Sequence, residues 1–326
     1  MKTKQILVVL FIFSLVGLLM MLPSMVDCAA KEKSKVLRWG SSSVGSSGYT
    51  ISAGMTNIVN KYTNYEASVI PSGGTAATIR CIARKERDFG FGGSYDIYTA
   101  YTGTGPFSKE GKQPILLIAM GYTTLMTFVA QPGIETVEDF KGKVLMYRRK
   151  PVPLWGIYGD AVLKAYNLSE NDAKCVASVE TKELLDGLKV GSVDIGLVPG
   201  AIPNAYTIQL LEAKKFNLIS IDKDKLETIA KKNPFMIPMT IPAGTYKGQD
   251  KDIHTMGYTM DLFARSDLPN EVIYDVTKAI FSHYDEFAKV HPLVKKFTLK
   301  NACKNAVVPI HPGAIKYYKE AGVWSK

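Results

Sequence analysis

The chain has 326 residues, 46% of them hydrophobic and 21% charged, with a formal net charge of +10. That length accommodates two domains with a large buried core, and the composition excludes a disordered chain. Its Lys and Arg residues are scattered rather than gathered into a basic block interleaved with aromatics, which argues against nucleic-acid binding, while the positive balance suits attraction to anions or to a membrane surface.

The first thirty residues read as a signal peptide. Lys2 and Lys4 precede an apolar run over 6–22, and Cys28, Ala29 and Ala30 offer small residues for cleavage before Lys31. The mature protein is therefore expected in the periplasm or another extracytoplasmic space, although the apolar run also allows an uncleaved N-terminal membrane anchor. Asp27 ahead of Cys28 argues against lipid attachment there. Removing residues 1–30 leaves 38 basic against 29 acidic residues. Cys81, Cys175 and Cys303 are far apart and odd in number, so they form neither a disulfide framework nor a zinc-ligand pattern and read as buried free thiols.

In chain order, 36–39 reads as a first strand and 49–62 as a helix, with Ile51, Met55, Ile58, Val59 and Tyr62 at helical spacing. Between them lies WGSSSVGSSGY, a Gly/Ser loop that aims free backbone N–H groups and a positive helix end at whatever sits above it. It matches neither the spaced-glycine dinucleotide fingerprint nor a nucleotide-binding P-loop, and a plain linker is the alternative. The same grammar recurs with a strand at 66–71, the loop Ser72 to Thr75 and a helix at 76–84. Residues 88–94 form a short strand whose glycines mark a close approach of backbone or ligand. An aromatic segment, 95–101, then ends at a turn cluster over 103–107.

Two apolar strands, 114–120 and 123–130, are expected to carry the chain between lobes. Thr136 is a plausible N-cap for a short helix at 137–140, followed by a strand at 144–147, a basic loop over 148–153 and a helix at 154–166. A strand at 175–179, a helix at 181–190 and a strand at 193–198 follow, the last repeating the Asp-apolar-Gly-apolar order of Asp88 to Phe91 at a separation of 106 residues. That spacing suggests two lobes of similar construction. Beyond it are helices at 202–213 and 223–232 with a strand at 217–221 between them, an extended stretch at 234–242, a return strand at 258–265, a long helix at 269–289 and a terminal helix at Pro312. Alternating strands and helices argue for an α/β fold with parallel sheets covered on both faces, whose ligands sit beyond the carboxyl ends of the strands.

Taken together and in order, GSSSVGSSGY, PSGGTAATIR, an Asp-x-Gly strand leading to YTGTGPF, TVEDFKGKV, IPAGTYKGQDKDI and HPGAIKYYKEAG run through residues 36–322. This ordered set resembles the TAXI-type solute-binding proteins of tripartite ATP-independent periplasmic (TRAP) transporters. The resemblance implies a type II periplasmic-binding-protein fold, two α/β lobes with a hinge and an interlobe cleft. In this chain the lobes would be 31–122 with 256–326, and 123–255. It also implies a receptor rather than an enzyme; a monomer without cofactor or metal is expected. Such a receptor captures a small carboxylate such as glutamate, another amino acid or a dicarboxylate, and delivers it to the small and large membrane subunits of an ion-gradient-driven transporter. Two stretches depart from the family: Tyr147-Arg148-Arg149-Lys150-Pro151 stands where many members carry a Gly-Ser-Gly-Thr type loop, and Gly93-Ser94-Tyr95 replaces the usual Gln-Ser-Asp.

The candidate ligand residues follow from loop ends and side-chain chemistry. Ser46, Ser47, Gly48 and Tyr49 would bind through hydroxyl and N–H donors, or else cap a helix and pack. Gly74 and Thr75 open the second helix, and Ser94 and Tyr95 follow the glycine strand. Arg148 and Arg149 would clamp a carboxylate with paired hydrogen bonds, or else form a solvated basic loop. Trp155 lines the cleft or anchors its helix, and Tyr246 contacts ligand from the hinge or packs there. His254, His283, His291 and His311 show no zinc-protease spacing and no Gly-x-Ser-x-Gly elbow is present, so an exported enzyme ranks below a sensory adaptor for a membrane receptor as an alternative.

Overall fold

The computed structural model describes residues 35–150, 152–213 and 216–324, so the predicted signal peptide and Cys28 lie outside the described residues. Strand β1 (Lys35–Ser41) runs into the Gly/Ser loop and then helix α1 (Ser47–Tyr62). β2 (Tyr65–Pro71), α2 (Thr75–Ala83), β3 (Phe89–Gly93) and α3 (Ser94–Thr102) follow. β1 lies between β2 and β3 and is parallel to both. Their apolar faces are driven together by removal from water: Trp39 and Phe89, both fully buried, stack with ring centroids 4.3 Å apart.

β4 (Ile115–Ala130) is one unbroken strand where the sequence suggests two. The apparent break at Gly121 is instead a point of backbone contact, because a Cβ there would lie 2.0 Å from the Met260 carbonyl oxygen. After it come β5 (Val144–Arg149), α4 (Pro153–Ala165), β6 (Lys174–Ser178), α5 (Thr181–Val190), β7 (Ile195–Gly200) and α6 (Ala205–Ala213). β5 lies parallel between β6 and β7, as β1 does between β2 and β3. β8 (Asn217–Ile219), α7 (Lys223–Lys232), β9 (Ile237–Ile241) and the long β10 (Ile253–Arg265) complete the sheet, and α8 (Asn270–Ser282), α9 (Tyr284–Phe287) and α10 (Pro312–Glu320) close the chain.

The strands form one mixed sheet in the order β2-β1-β3-β10-β4-β7-β5-β6, with β8 on β4 and β9 on β10. The sequence predicts parallel sheets within two lobes. The difference lies in β4 and β10, which pair antiparallel to each other and join the two parallel triplets. The two main cores stay distinct. One gathers Trp39, Phe89, Leu117 and Phe263, the other Phe128, Tyr158, Leu197 and Met256. This is the two-lobed α/β arrangement joined by crossing strands.

The repeat seen in sequence is also a repeat in space. Asp88 accepts a hydrogen bond from Arg38 N at 2.9 Å through its carboxylate, and its own N–H donates to the Arg38 carbonyl. Asp194 does the same with Val144, at 2.8 Å. The carbonyl of Asp88 accepts from Arg265 N and that of Asp194 from Gln131 N, so each aspartate ties a crossing strand to its own triplet.

Three local expectations change, and two histidines take a defined place. Thr136 is not the cap of the short turn at Glu138–Phe140; the Asp139 carboxylate accepts from the N–H groups of Glu135 and Thr136 instead. The long helix breaks at His283. Cys81, Cys175 and Cys303 are free but only half-buried. His291 and His311, the two residues before proline, are N-caps whose Nδ1 atoms accept from Leu293 N and Gly313 N, each at 3.2 Å. Among the described residues no helix is long and apolar enough to cross a membrane, and no group of side chains is arranged to hold a metal ion.

Candidate functional site

The register of the crossing strands places the site. Gly93, the last residue of β3, lies opposite Met260, and Gly200, the last of β7, lies opposite Leu125. Between these points Tyr122 faces Met260 and Thr124 faces Tyr258. The carboxyl ends of both triplets therefore converge on the middle of β4 and β10, which becomes the floor of a cleft.

On the first lobe, Thr75 opens α2 behind Gly74, whose φ of +112° is a conformation that side chains with a Cβ rarely adopt. Thr75 lies so close to β3 that a Cβ on Gly92 would meet its methyl at 2.3 Å. Its Oγ1 accepts from Gly93 N at 3.1 Å, and its hydroxyl also reaches the Asp96 carboxyl. Asp96 sits in the first turn of α3, and burial pushes its pKa up to about 6 against the opposing pull of Arg80 and the Thr75 hydroxyl. Arg80 itself is engaged by both carboxylate oxygens of Glu110 and by the Pro106 carbonyl.

On the second lobe, Arg149 ends β5 with its guanidinium 5.1 Å from the Trp155 ring centroid. Its Nε donates to the Val179 carbonyl at 3.1 Å and its Nη1 to Thr181 Oγ1 at 3.3 Å. No carboxylate pairs with it among the described residues. Trp155 is 3% exposed, and its indole N–H is buried beside the Tyr258 phenol.

Tyr258 stands between the two sides. Burial raises its pKa first; the side chains of Trp155 and Thr124 and the charge of Arg149 oppose that shift, and the charge of Asp96 adds to it. Tyr122, beside it on the floor, is likewise raised by burial and by Tyr258. Asp96, Tyr122, Thr124 and Tyr258 were not among the sequence candidates. Asp96 is the neighbour of Tyr95, and the two tyrosines are polar-tipped residues near the middle of the crossing strands, a signal that becomes informative once those strands are known to cross.

The structure brings Arg149 and Trp155 together at the end of β5 and sets Thr75 against Gly93 at the start of α2; the other candidates lie as follows. Ser46 is the N-cap of α1: its Oγ accepts from Tyr49 N at 3.2 Å and donates to the Ser43 carbonyl. Ser47 and Tyr49 are half-buried in the first turn of that helix, and Gly48 is buried where a Cβ would meet Ser42 Oγ at 2.7 Å. Ser94 is fully buried; its hydroxyl donates to the Phe235 carbonyl at 3.0 Å and accepts from Thr259 N at 3.2 Å. Tyr95 packs edge-on against Phe235 at 5.1 Å. Tyr246 is buried, and its hydroxyl accepts from Asn204 N at 3.0 Å, away from the floor.

The arginine pair is split. Arg148 and Arg149 are strand residues, not loop residues, so neighbouring side chains separate. A bulge between Met146 and Arg148 then puts Arg148 beside Tyr147, where both reach Asp160. Arg148 also pairs with Glu170 at 2.8 Å, which removes it from the cleft.

The profile of the NMT1-like family matches residues 39–322 of this chain. Among solved structures, XAC2383 from Xanthomonas citri, bound to a chloride ion, is 10% identical; the match covers 88% of this chain and 97% of that one with a TM-score of 0.51. The periplasmic aliphatic sulphonate binding protein SsuA from Escherichia coli is 12% identical, with 88% of each chain covered and a TM-score of 0.46. A binding-protein component of a phosphonate ABC transporter from Pseudomonas aeruginosa is 15% identical over 81% of this chain and 80% of its own, with a TM-score of 0.46. At these identities the likeness concerns the fold.

Proposed function

This chain belongs to the NMT1-like family, and from that premise we propose that it is an extracytoplasmic receptor that captures a small organic anion in its interlobe cleft without transforming it. The observation that carries this reading is Arg149. It is a cation 5.1 Å from the centroid of the Trp155 ring, without a carboxylate partner among the described residues, at the carboxyl end of β5. A guanidinium in a cleft that excludes water on closure gains more from a carboxylate than it does in solvent. The free N–H groups at the start of α2, behind Gly74, supply neutral donors on the opposite side. A carboxylate such as glutamate, another amino acid or a dicarboxylate fits that donor set.

The lobes in this reading are 31–122 with 256–326, and 123–255. Ligand that contacts both favours the closed arrangement by its differential affinity, and closure presents the surface that a membrane partner reads. The ordered motifs from GSSSVGSSGY to HPGAIKYYKEAG support a TRAP-type transporter as that partner, through its small and large membrane subunits. The N-terminal apolar segment supports export to the periplasm.

Calorimetry on protein stripped of bound solute, titrated with amino acids and dicarboxylates, tests the binding step. Affinity is expected for at least one of them, with a loss of tenfold or more in Arg149→Ala and little change in Arg148→Ala. No binding across the panel would remove the reading. Uptake into proteoliposomes carrying TRAP membrane subunits, driven by an ion gradient in the absence of ATP, tests the partner.

A further inference from the structure

The two strand triplets repeat one another at a fixed offset. Trp39 pairs with both Val69 and Phe89, and 106 residues further on Leu145 pairs with both Cys175 and Ile195. The helices packed on them keep the same offset. A Cβ on Gly90 would meet the Thr78 methyl at 2.9 Å, and one on Gly196 would meet a Leu184 methyl at 2.5 Å. Thr75, which opens α2, therefore has its counterpart in Thr181, which opens α5.

The two threonines are held differently, and two residue differences explain it. Thr75 Oγ1 accepts from Gly93 N at 3.1 Å and comes that close because Gly92 carries no side chain. At the corresponding places in β7 stand Val198 and Pro199. Val198 packs with Leu184, Leu185 and Leu188 of α5, and Pro199 has no backbone N–H to give. Thr181 Oγ1 is left to another donor, and Arg149 Nη1 takes it at 3.3 Å while Arg149 Nε donates to the Val179 carbonyl at 3.1 Å. The segment that carries both acceptors is itself fixed, since Val179 N donates to the Glu183 carboxylate at 2.9 Å and Lys150 N to the Ser178 carbonyl at 3.0 Å. Anchors at two nitrogens, beside the Trp155 ring, hold the guanidinium in one orientation. Its Nη2 keeps both N–H groups without an acceptor among the described residues.

We infer that Thr181 is a positioning residue for anion capture, pinning Arg149 so that Nη2 is the nitrogen offered to the solute. The inference rests on the solute-binding reading above and deepens it. A guanidinium already held in place loses less freedom when an anion arrives than a mobile one does, so the Thr181 hydroxyl contributes affinity without touching the solute.

Calorimetry over the same panel of amino acids and dicarboxylates, L-glutamate and succinate included, reads the effect on the member that binds most tightly. Thr181→Val is expected to weaken that affinity about three- to tenfold, and Thr181→Ser, which keeps the hydroxyl, to stay within about twofold of wild type. The double variant gives the readout that a purely structural role would not show: once Arg149→Ala is in place, Thr181→Val should change affinity no further. An equal loss from Thr181→Val with and without Arg149, a loss in Thr181→Ser as large as in Thr181→Val, or no loss in Thr181→Val would overturn the inference and leave anion capture by Arg149 standing. No binding anywhere in the panel would overturn both. Should Thr181→Val fail to fold, Thr181→Ala lacks the acceptor as well and carries the same comparison.

Discussion

Arg148 and Arg149 are adjacent, identical and both half-buried, yet only the first is ion-paired among the described residues. Their charge and their position after a strand are legible in the sequence, whereas their directions depend on a bulge whose register no local pattern records. The surface pairs of Arg148 with Asp160 and Glu170 are each worth about 0.2–1 kcal/mol. Arg148→Ala should therefore lower stability by about 1 kcal/mol in chemical denaturation without touching solute affinity. Asp96 was overlooked for the converse reason: attention falls on the serine and tyrosine that open its helix, and only the fold shows that those two are consumed by Phe235.

Asp261 adds a titration at the same scale. It is fully buried on β10 and accepts from Thr259 Oγ1 at 2.7 Å and from Gly121 N at 3.1 Å, and burial pushes its pKa up to about 7. Between its ordinary value of 3.8 and about 7 the folded chain holds a proton that the unfolded chain has released. This group's contribution to stability is therefore fully favourable below the lower value, falls as pH rises through the window and is flat above it. Asp261→Asn, which keeps an acceptor for Gly121 N, should flatten that decline. The variant should gain about 1–4 kcal/mol relative to wild type on going from pH 4 to pH 8, measured by denaturant unfolding at both. A parallel pair of profiles would show that Asp261 does not titrate in this range.

At the scale of elements, most strands and helices follow from apolar spacing, and Lys223–Lys232 was read to the residue because its charges alternate with Leu226 and Ile229 on one buried side. The failures have physical reasons. Residues 94–102 form α3 despite a run of Ser, Thr and Tyr with poor helix propensity, because Ile97 and Ala100 are buried against the first core. Gly121-Tyr122 resembles a turn, but the glycine exists to let two backbones meet. Gly121→Ala should cost at least about 3 kcal/mol, since the clash is with a backbone carbonyl and not with a side chain that can rotate. A thermal melt within about 2 °C of wild type would refute that role for the glycine. The two His-Pro caps are a subtler device. Each histidine supplies an acceptor for a donor that the following proline does not satisfy, so His311→Ala should destabilise by about 1 kcal/mol, the usual cost of a lost cap.

For the whole molecule, the two-lobed architecture was visible in the repeated Asp-apolar-Gly motif, and Asp88 and Asp194 turn out to perform the same service in each lobe. The joining of those lobes into one sheet was not visible, because strand pairing across more than a hundred residues leaves no local mark. Family membership likewise reaches beyond any single motif: each Gly/Ser loop is weak alone, and the profile match extends over 39–322.

The crossing strands carry one last implication. Thr123 and Thr259 are direct cross-strand partners, so the second lobe leaves and re-enters the first at neighbouring points, with backbones about 5 Å apart. Residues 124–258, which take in three residues beyond the second lobe, are in that sense a cassette with two adjacent junctions, and the corresponding piece of a relative can be spliced in without rerouting the host. In such a chimera Arg149 and Trp155 would travel with the insert, and the start of α2 at Thr75 would remain with the host.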